Sequence, residues 1–152
     1  MNDLRPILLV EDNPRDLELT LAALAKCKLA NDIVVVRDGA EALDYLYERN
    51  QFLDRDPGVP AVVLLDIKLP KIDGMQVLET VKSDPQLKHV PVVMLTSSRE
   101  EPDVLRSYEV GVNAFVVKPV DFNAFFEAIQ DLGMFWAVLN EPPPRRFTPP
   151  GA

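Results

Sequence analysis

The segment Val62-Val63-Leu64-Leu65-Asp66-Ile67-Lys68-Leu69-Pro70 constrains the fold more than any other. Four apolar residues, two of them β-branched, run straight into a carboxylate. Pro70 and the pair Asp73-Gly74 interrupt the chain soon after. A short continuous apolar run, not an alternating one, is the pattern of a strand covered on both faces, as in parallel sheets. The Pro and the Asp-Gly pair mark a turn ahead of a helix. Asp66 therefore stands where a buried strand leaves its sheet. In open α/β sheets the ligand crevice lies outside the carboxyl ends of the strands. An Asp at that point either caps a loop or is a reactive group.

Four more runs of this kind occur: Ile7–Val10, Ile33–Val36, Val92-Val93-Met94-Leu95 and Ala114–Val117. Helical spacing fills the intervals. Asn13 suits an N-cap and Pro14 a first helical position. Leu17, Leu21, Leu24 and Ala25 then share a face, in a helix ending near Lys28. Asp38-Gly39 leads into a helix with Ala42, Leu43, Leu46 and Tyr47 as its stripe. This helix reads as long, with a polar stretch at 50–58 before the next strand. Val77, Leu78 and Val81 mark a helix that stops at Ser83-Asp84-Pro85. Val104, Leu105 and Tyr108 mark another that closes at Gly111. The last helix is predicted from 121 to about 139, on Phe122, Phe125, Phe126, Ile129, Leu132, Trp136 and Leu139. Five strands alternating with five helices predict an α/β fold with a five-stranded parallel, doubly wound sheet and right-handed crossovers. Its expected order is 2-1-3-4-5, the flavodoxin-like (βα)5 arrangement, with the switch point between strands one and three. The domain is expected to span 1–139, followed by a Pro-rich, polyproline-like tail at 140–152.

Composition narrows the partners. The chain has 152 residues, 47% of them hydrophobic, and a net charge of −8. Nucleic acid and anionic membrane both require a basic face, so neither is expected as a main partner. Cys27 is the only cysteine, so no internal disulfide can form, and a reducing cytoplasm is the expected compartment. The start, Met1-Asn2-Asp3-Leu4-Arg5-Pro6, lacks the apolar core of a signal peptide, and no run reaches the length of a membrane span.

The residues just past each strand carry the chemistry. Glu11 and Asp12 follow strand one, Asp66 strand three, Thr96 and Ser97 strand four, and Lys118 strand five. In the 2-1-3-4-5 order they share one edge. Three carboxylates within a few ångströms repel one another and their pKa values rise unless a counter-charge is supplied. A hard divalent cation together with Lys118 balances them, and oxygen-only ligands in a small site favour Mg²⁺. Asp66 can then stay ionised and attack phosphorus. Phosphoryl transfer requires the equatorial oxygens to be neutralised, which suits Mg²⁺, Lys118 and the Thr96 hydroxyl. Cys27 belongs to the first helix, and His89 precedes strand four near the opposite edge, so neither replaces Asp66.

The motifs Leu9-Val10-Glu11-Asp12-Asn13, Leu65-Asp66-Ile67-Lys68-Leu69-Pro70 with Asp73-Gly74, Leu95-Thr96-Ser97 and Val116-Val117-Lys118-Pro119 are similar to those of the receiver domain of two-component response regulators, the CheY-like group. The resemblance runs from about Ile7 to Leu132. It implies that Asp66 accepts a phosphoryl group from a phosphohistidine on a sensor histidine kinase. It implies that Asp12, Asp66 and the Lys68 carbonyl bind Mg²⁺, with Glu11 acting through bound water. Thr96 and Lys118 would engage the phosphoryl group, Phe115 would follow Thr96 inward as an aromatic switch, and the Lys118-Pro119 bond would be cis. The face formed by 99–111, strand five and the last helix would then repack. The protein itself would be no enzyme beyond acting on its own acyl phosphate.

Some residues depart from the pattern. Leu69 replaces the commoner Met, Ser97 stands where a small apolar residue is usual, and Phe115 replaces the frequent Tyr. Without a hydroxyl, any readout through Phe115 rests on packing. The extended segment before strand three and the Pro-rich ending resemble stand-alone regulators that serve phytochrome-type kinases, so a bacteriophytochrome is the implied partner and a single-domain regulator the implied class. Met134, Phe135, Trp136, Val138 and Leu139 are apolar nearly all round, which predicts a homodimer through Phe135, Trp136 and Leu139. Truncation after Leu132 is then expected to halve the mass seen by light scattering. Two other classes share part of this pattern. A haloacid-dehalogenase-like, Mg²⁺-dependent phosphatase also uses an Asp after a strand but needs a second acid two residues on, where Lys68 stands. A flavodoxin-like nucleotide binder needs a phosphate loop after strand one, where two acids stand.

Overall fold

The computed structural model describes residues 5–26, 29, 31–97 and 102–131. Strands β1 (Ile7–Val10), β2 (Ile33–Val36), β3 (Val62–Asp66), β4 (Val92–Thr96) and β5 (Ala114–Val117) alternate with helices α1 (Pro14–Lys26), α2 (Gly39–Leu46), α3 (Gly74–Ser83), α4 (Pro102–Val110) and α5 (Phe122–Asp131). The strands are all parallel, in the order β2-β1-β3-β4-β5. This is the doubly wound sheet that the sequence predicts.

The two-residue period of a strand divides the core. Leu8, Val10, Val63, Leu65, Val92 and Met94 pack with residues of α2 and α3 and with Val104 of α4. Ile7, Leu9, Val62, Leu64, Val93 and Leu95 pack with Leu17 and Leu24 of α1 and with Phe125 and Ala128 of α5. β1, β3 and β4 are buried on both faces, which is why their sequences are unbroken apolar runs. The register pairs Val10 with Leu65, Asp66 with Leu95 and Thr96 with Val117. The carboxyl ends of the strands are thereby level, and the residues that follow them meet along one edge.

Gly74 sets how closely α3 approaches that edge. Its N–H donates to the Ile67 carbonyl at 2.9 Å, and a Cβ there would overlap the Asp66 carbonyl oxygen and crowd Ile67. Asp73 caps the helix: it accepts from Gln76 N–H at 3.0 Å while its own N–H donates to Gln76 Oε1 at 3.1 Å. Asp73→Ala removes half of this reciprocal box. It is expected to cost about 1 kcal/mol and to lower the thermal midpoint by about 2–4 °C.

α2 is shorter than its stripe predicts. It ends at Leu46, because Glu48 and Asn50 take left-handed φ values of 54° and 56° and turn the chain. Tyr47 is not a core residue: it is 36% exposed, and its hydroxyl donates to Asp84 at 2.6 Å. Tyr45 is buried instead, with the Arg55 guanidinium 4.0 Å above its ring and Phe52 edge-on at 5.2 Å. Arg55 also donates to the carbonyls of Tyr45, Asp56 and Gly58, so the stretch at 50–58 folds back on α2 and holds a 3-10 turn, Asn50–Phe52. Tyr108 is likewise 49% exposed, although it lies on the predicted stripe of α4. Cys27, Lys28, the Pro-rich tail and the predicted contact residues Phe135, Trp136 and Leu139 lie outside the described residues. Among the described residues, no helix is long and apolar enough to cross a membrane.

Candidate functional site

Each side chain at the edge owes its place to the strand before it. β1 delivers Glu11, which is fully buried, and Asp12, which is exposed. β3 delivers Asp66, 5% exposed, as its last residue. β4 ends in Thr96, 1% exposed, followed by the exposed Ser97. β5 leads into Lys118, whose peptide bond to Pro119 is cis. Phe115 lies within β5, part-buried, with its ring edge-on to Tyr108 at 5.7 Å.

The structure brings the acids together. Among the described residues, Glu11, Asp12 and Asp66 each offer a carboxylate oxygen, and these oxygens lie within 4.8 Å of one another. The Lys118 ammonium donates to Glu11 Oε1 at 3.3 Å, to Asp66 Oδ2 at 3.0 Å and to Asp16 Oδ2 at 2.9 Å. Lys68 contributes its backbone N–H to Asp66 Oδ1 at 3.2 Å, while its side chain is exposed. A cavity of about 170 Å³ is lined by Asp66, Ile67, Lys68, Thr96, Ser97 and Lys118. Since a water's share of liquid volume is about 30 Å³, several polar groups fit there. A more open cleft of about 420 Å³ adjoins it, lined by Asp12, the Ile67-to-Pro70 turn, Asp73, Met75 and Arg106.

Crowding shows in the protonation of Glu11. Burial, followed by the hydrogen bond and charge of Asp66, raises its pKa to about 7, against the pull of Lys118. Burial works against the Lys118 ammonium, but its hydrogen bonds to Asp16 and Asp66 and the charges of Asp66 and Glu11 outweigh this and hold it above the ordinary lysine value. A folded-state pKa raised above the unfolded one contributes stability that is complete at low pH and lost as pH rises through the folded value. Without divalent cation, the protein is therefore expected to lose up to about 3 kcal/mol between pH 5 and pH 8. Melting curves across that range check this. Glu11→Gln should flatten the decline, and a saturating divalent cation should remove it by favouring the ionised carboxylates.

The donor set fits a hard dication: three carboxylates at one point, all oxygen, one of them open to solvent. Lys118 neutralises only part of that charge.

Two residues at this edge escape the strand-end reading. Asp16 stands in the first turn of α1, where an acid has an ordinary role beside the helix dipole. Arg106, on α4, lines the open cleft and pairs with Glu79 at 2.7 Å. The Asn-Pro N-terminus of α1 gives a weak signal for the first, since it fixes which turn faces the edge. Nothing local signals the second. His89 is exposed in the segment before β4, at the opposite end of the sheet.

The sequence model of the response regulator receiver domain matches residues 7–130. A solved structure of the bacteriophytochrome response regulator AtBRR is 72% identical, covers 91% of this chain and 99% of its own, and superposes with a TM-score of 0.85. Response regulator Rcp1 of Synechocystis sp. is 37% identical over 135 residues, 89% of this chain and 90% of Rcp1. The Mn²⁺-bound form of Rcp1 is similar over 97% of this chain and 99% of that one, at 34% identity and a TM-score of 0.72. The phosphorylated cyanobacterial phytochrome response regulator RcpA matches at 39% identity over 88% of this chain and 94% of its own, with a TM-score of 0.72. These matches support a receiver and not the haloacid-dehalogenase-like phosphatase.

Proposed function

The chain belongs to the response regulator receiver domain family, and from that premise we propose that Asp66 is the phosphoacceptor of a relay fed by a sensor histidine kinase of the bacteriophytochrome type. The phosphohistidine P–N bond breaks, an Asp66 carboxylate oxygen bonds to phosphorus, and the imidazole keeps the electron pair and takes up a proton. The product is an acyl phosphate, and no external substrate is turned over. The meeting of three carboxylates with the Lys118 ammonium on Asp66, which also lines a small cavity with Thr96 and Ser97, carries this reading.

Mg²⁺ would be held by Glu11, Asp12, Asp66 and the Lys68 carbonyl, and when bound it supplies charge neutralisation at the phosphoryl oxygens. The other roles fall to the chain. The Lys68 N–H orients the Asp66 carboxylate through Oδ1. Lys118 places a positive charge beside the attacking group. Thr96, with Ser97 beside it, lines the same cavity and offers a hydroxyl to the incoming oxygens. A shift of Thr96 would open space toward β5, where Phe115 can repack against Tyr108. Phosphorylation then acts by biasing a packing equilibrium. The cytoplasm is the compartment in which a kinase and a chain with one cysteine fit this scheme. The homodimer through the last helix belongs to the proposal on the strength of sequence alone.

The test is incubation with Mg²⁺ and acetyl phosphate, read by intact mass. Gain of one phosphoryl group, mapped to Asp66, is expected. A protein that gains none with either acetyl phosphate or a phosphorylated kinase refutes the reading.

A further inference from the structure

Lys118 has three N–H bonds to give, and all three are committed. They run to Glu11 Oε1 at 3.3 Å, Asp16 Oδ2 at 2.9 Å and Asp66 Oδ2 at 3.0 Å. The shortest goes to Asp16, which belongs to none of the strand-end motifs. Asn13 fixes Asp16 in place: its Oδ1 accepts from the N–H groups of Arg15 at 2.9 Å and Asp16 at 3.0 Å. The Asn13 N–H in turn donates to Glu11 Oε2 at 3.3 Å. Glu11, Asn13, Asp16 and Lys118 thus close a ring that ties the end of β1, the start of α1 and the segment after β5. The cap fixes the Asp16 backbone, so rotation of its side chain alone separates the carboxylate from Lys118.

The three acceptors differ in their access to water. The Glu11 side chain is 0% exposed, that of Asp66 7% and that of Asp16 32%. A carboxylate stripped of its cation in the interior stays uncompensated, whereas one at the surface is rehydrated. A phosphoryl group on Asp66 brings about −1.5 to −2 charges and strong acceptor oxygens. The ammonium can reach a new oxygen only by releasing an old one, and Asp16 is the partner released at least cost. We infer that Asp16 is a positioning residue: it parks Lys118 in the resting protein and sets how readily the ammonium is handed to the phosphoryl group. The inference rests on the phosphoacceptor reading above.

The test compares the rate of phosphoryl gain from acetyl phosphate with Mg²⁺ in the full chain and its variants. Asp16→Asn keeps the shape and one acceptor oxygen but removes the charge, and it should speed uptake about two- to fivefold, the range of one weakened ion pair. Asp16→Glu restores the charge and should return the rate to within about twofold of the parent. Damage to the fold would slow uptake instead, and Asp16→Ser supplies a second neutral variant should the first be unstable. Repeating the assay at about 1 M salt separates handover from simple repulsion of the anionic donor, because long-range repulsion is screened there and a contact pair much less. The faster rate should persist. An Asp16→Asn rate equal to or below the parent's, or a gain that vanishes in high salt, overturns the inference. Failure of the parent chain itself to gain a group at Asp66 overturns the phosphoacceptor reading instead.

Discussion

Asp66→Asn is expected to fold, to keep its sheet and to gain no phosphoryl group from acetyl phosphate or from a phosphorylated kinase. The side-chain amide preserves the size of Asp66 and leaves one oxygen to accept from Lys118 or the Lys68 N–H. It has no anionic oxygen to attack phosphorus, so the loss is total, not partial. Stability should move the other way. The hydrogen bond and charge of Asp66 are the second and third causes that raise the Glu11 pKa, after burial. Removing them brings Glu11 back toward the ordinary carboxyl value and shrinks the loss of stability between pH 5 and pH 8. Mass spectrometry and pH-resolved melting read the two effects on one sample. A variant that still gains one group would move the acceptor to Glu11 or Asp12. A variant that loses uptake but keeps the full pH dependence would detach Glu11 from Asp66.

How far the sequence could be read follows from which forces are local. β1, β3 and β4 are legible because burial on both faces leaves no room for polar residues, and the strand ends are legible because the polar residue after each run must sit at the edge. The order of the sheet then places Glu11, Asp66, Thr96 and Lys118 on one side without any contact being known. The stripe of α2 misleads because Tyr45 and Tyr47 have side chains of the same character. Their fates depend on Arg55 covering one ring and Asp84 binding the other hydroxyl, partners 10 and 37 residues away. Asp16 is hidden in the sequence for a similar reason. An acid in a first helical turn is explained by the helix alone, and its bond to Lys118 spans 102 residues. Strand and helix periods report what lies within one element. They are silent on which side chain from another element reaches across.

Lys118→Met deletes the ammonium that contacts Glu11, Asp16 and Asp66 while keeping an unbranched stem of similar length. The Glu11 and Asp66 side chains, 0% and 7% exposed, then lose their ion pair with Lys118. Breaking a buried pair on one side costs about 3–5 kcal/mol because the remaining charge is uncompensated. Here Glu11 can escape by binding a proton, so the lower end applies. We expect a loss of about 3 kcal/mol at pH 8 without divalent cation, or about 6–12 °C in the thermal midpoint. At pH 5 Glu11 is protonated in the parent as well, and the difference should shrink to the Asp16 and Asp66 contacts alone. A divalent cation should recover most of the loss at pH 8, since it meets the same carboxylates without competing with an ammonium. Phosphoryl uptake should nonetheless stay slow, because the ammonium that contacts Asp66 is gone. Stability and uptake therefore part company in this variant, one rescued by cation and the other not. A loss of stability equal at pH 5 and pH 8 would assign Lys118 to packing. Uptake at the parent rate with cation present would remove it from the transfer step.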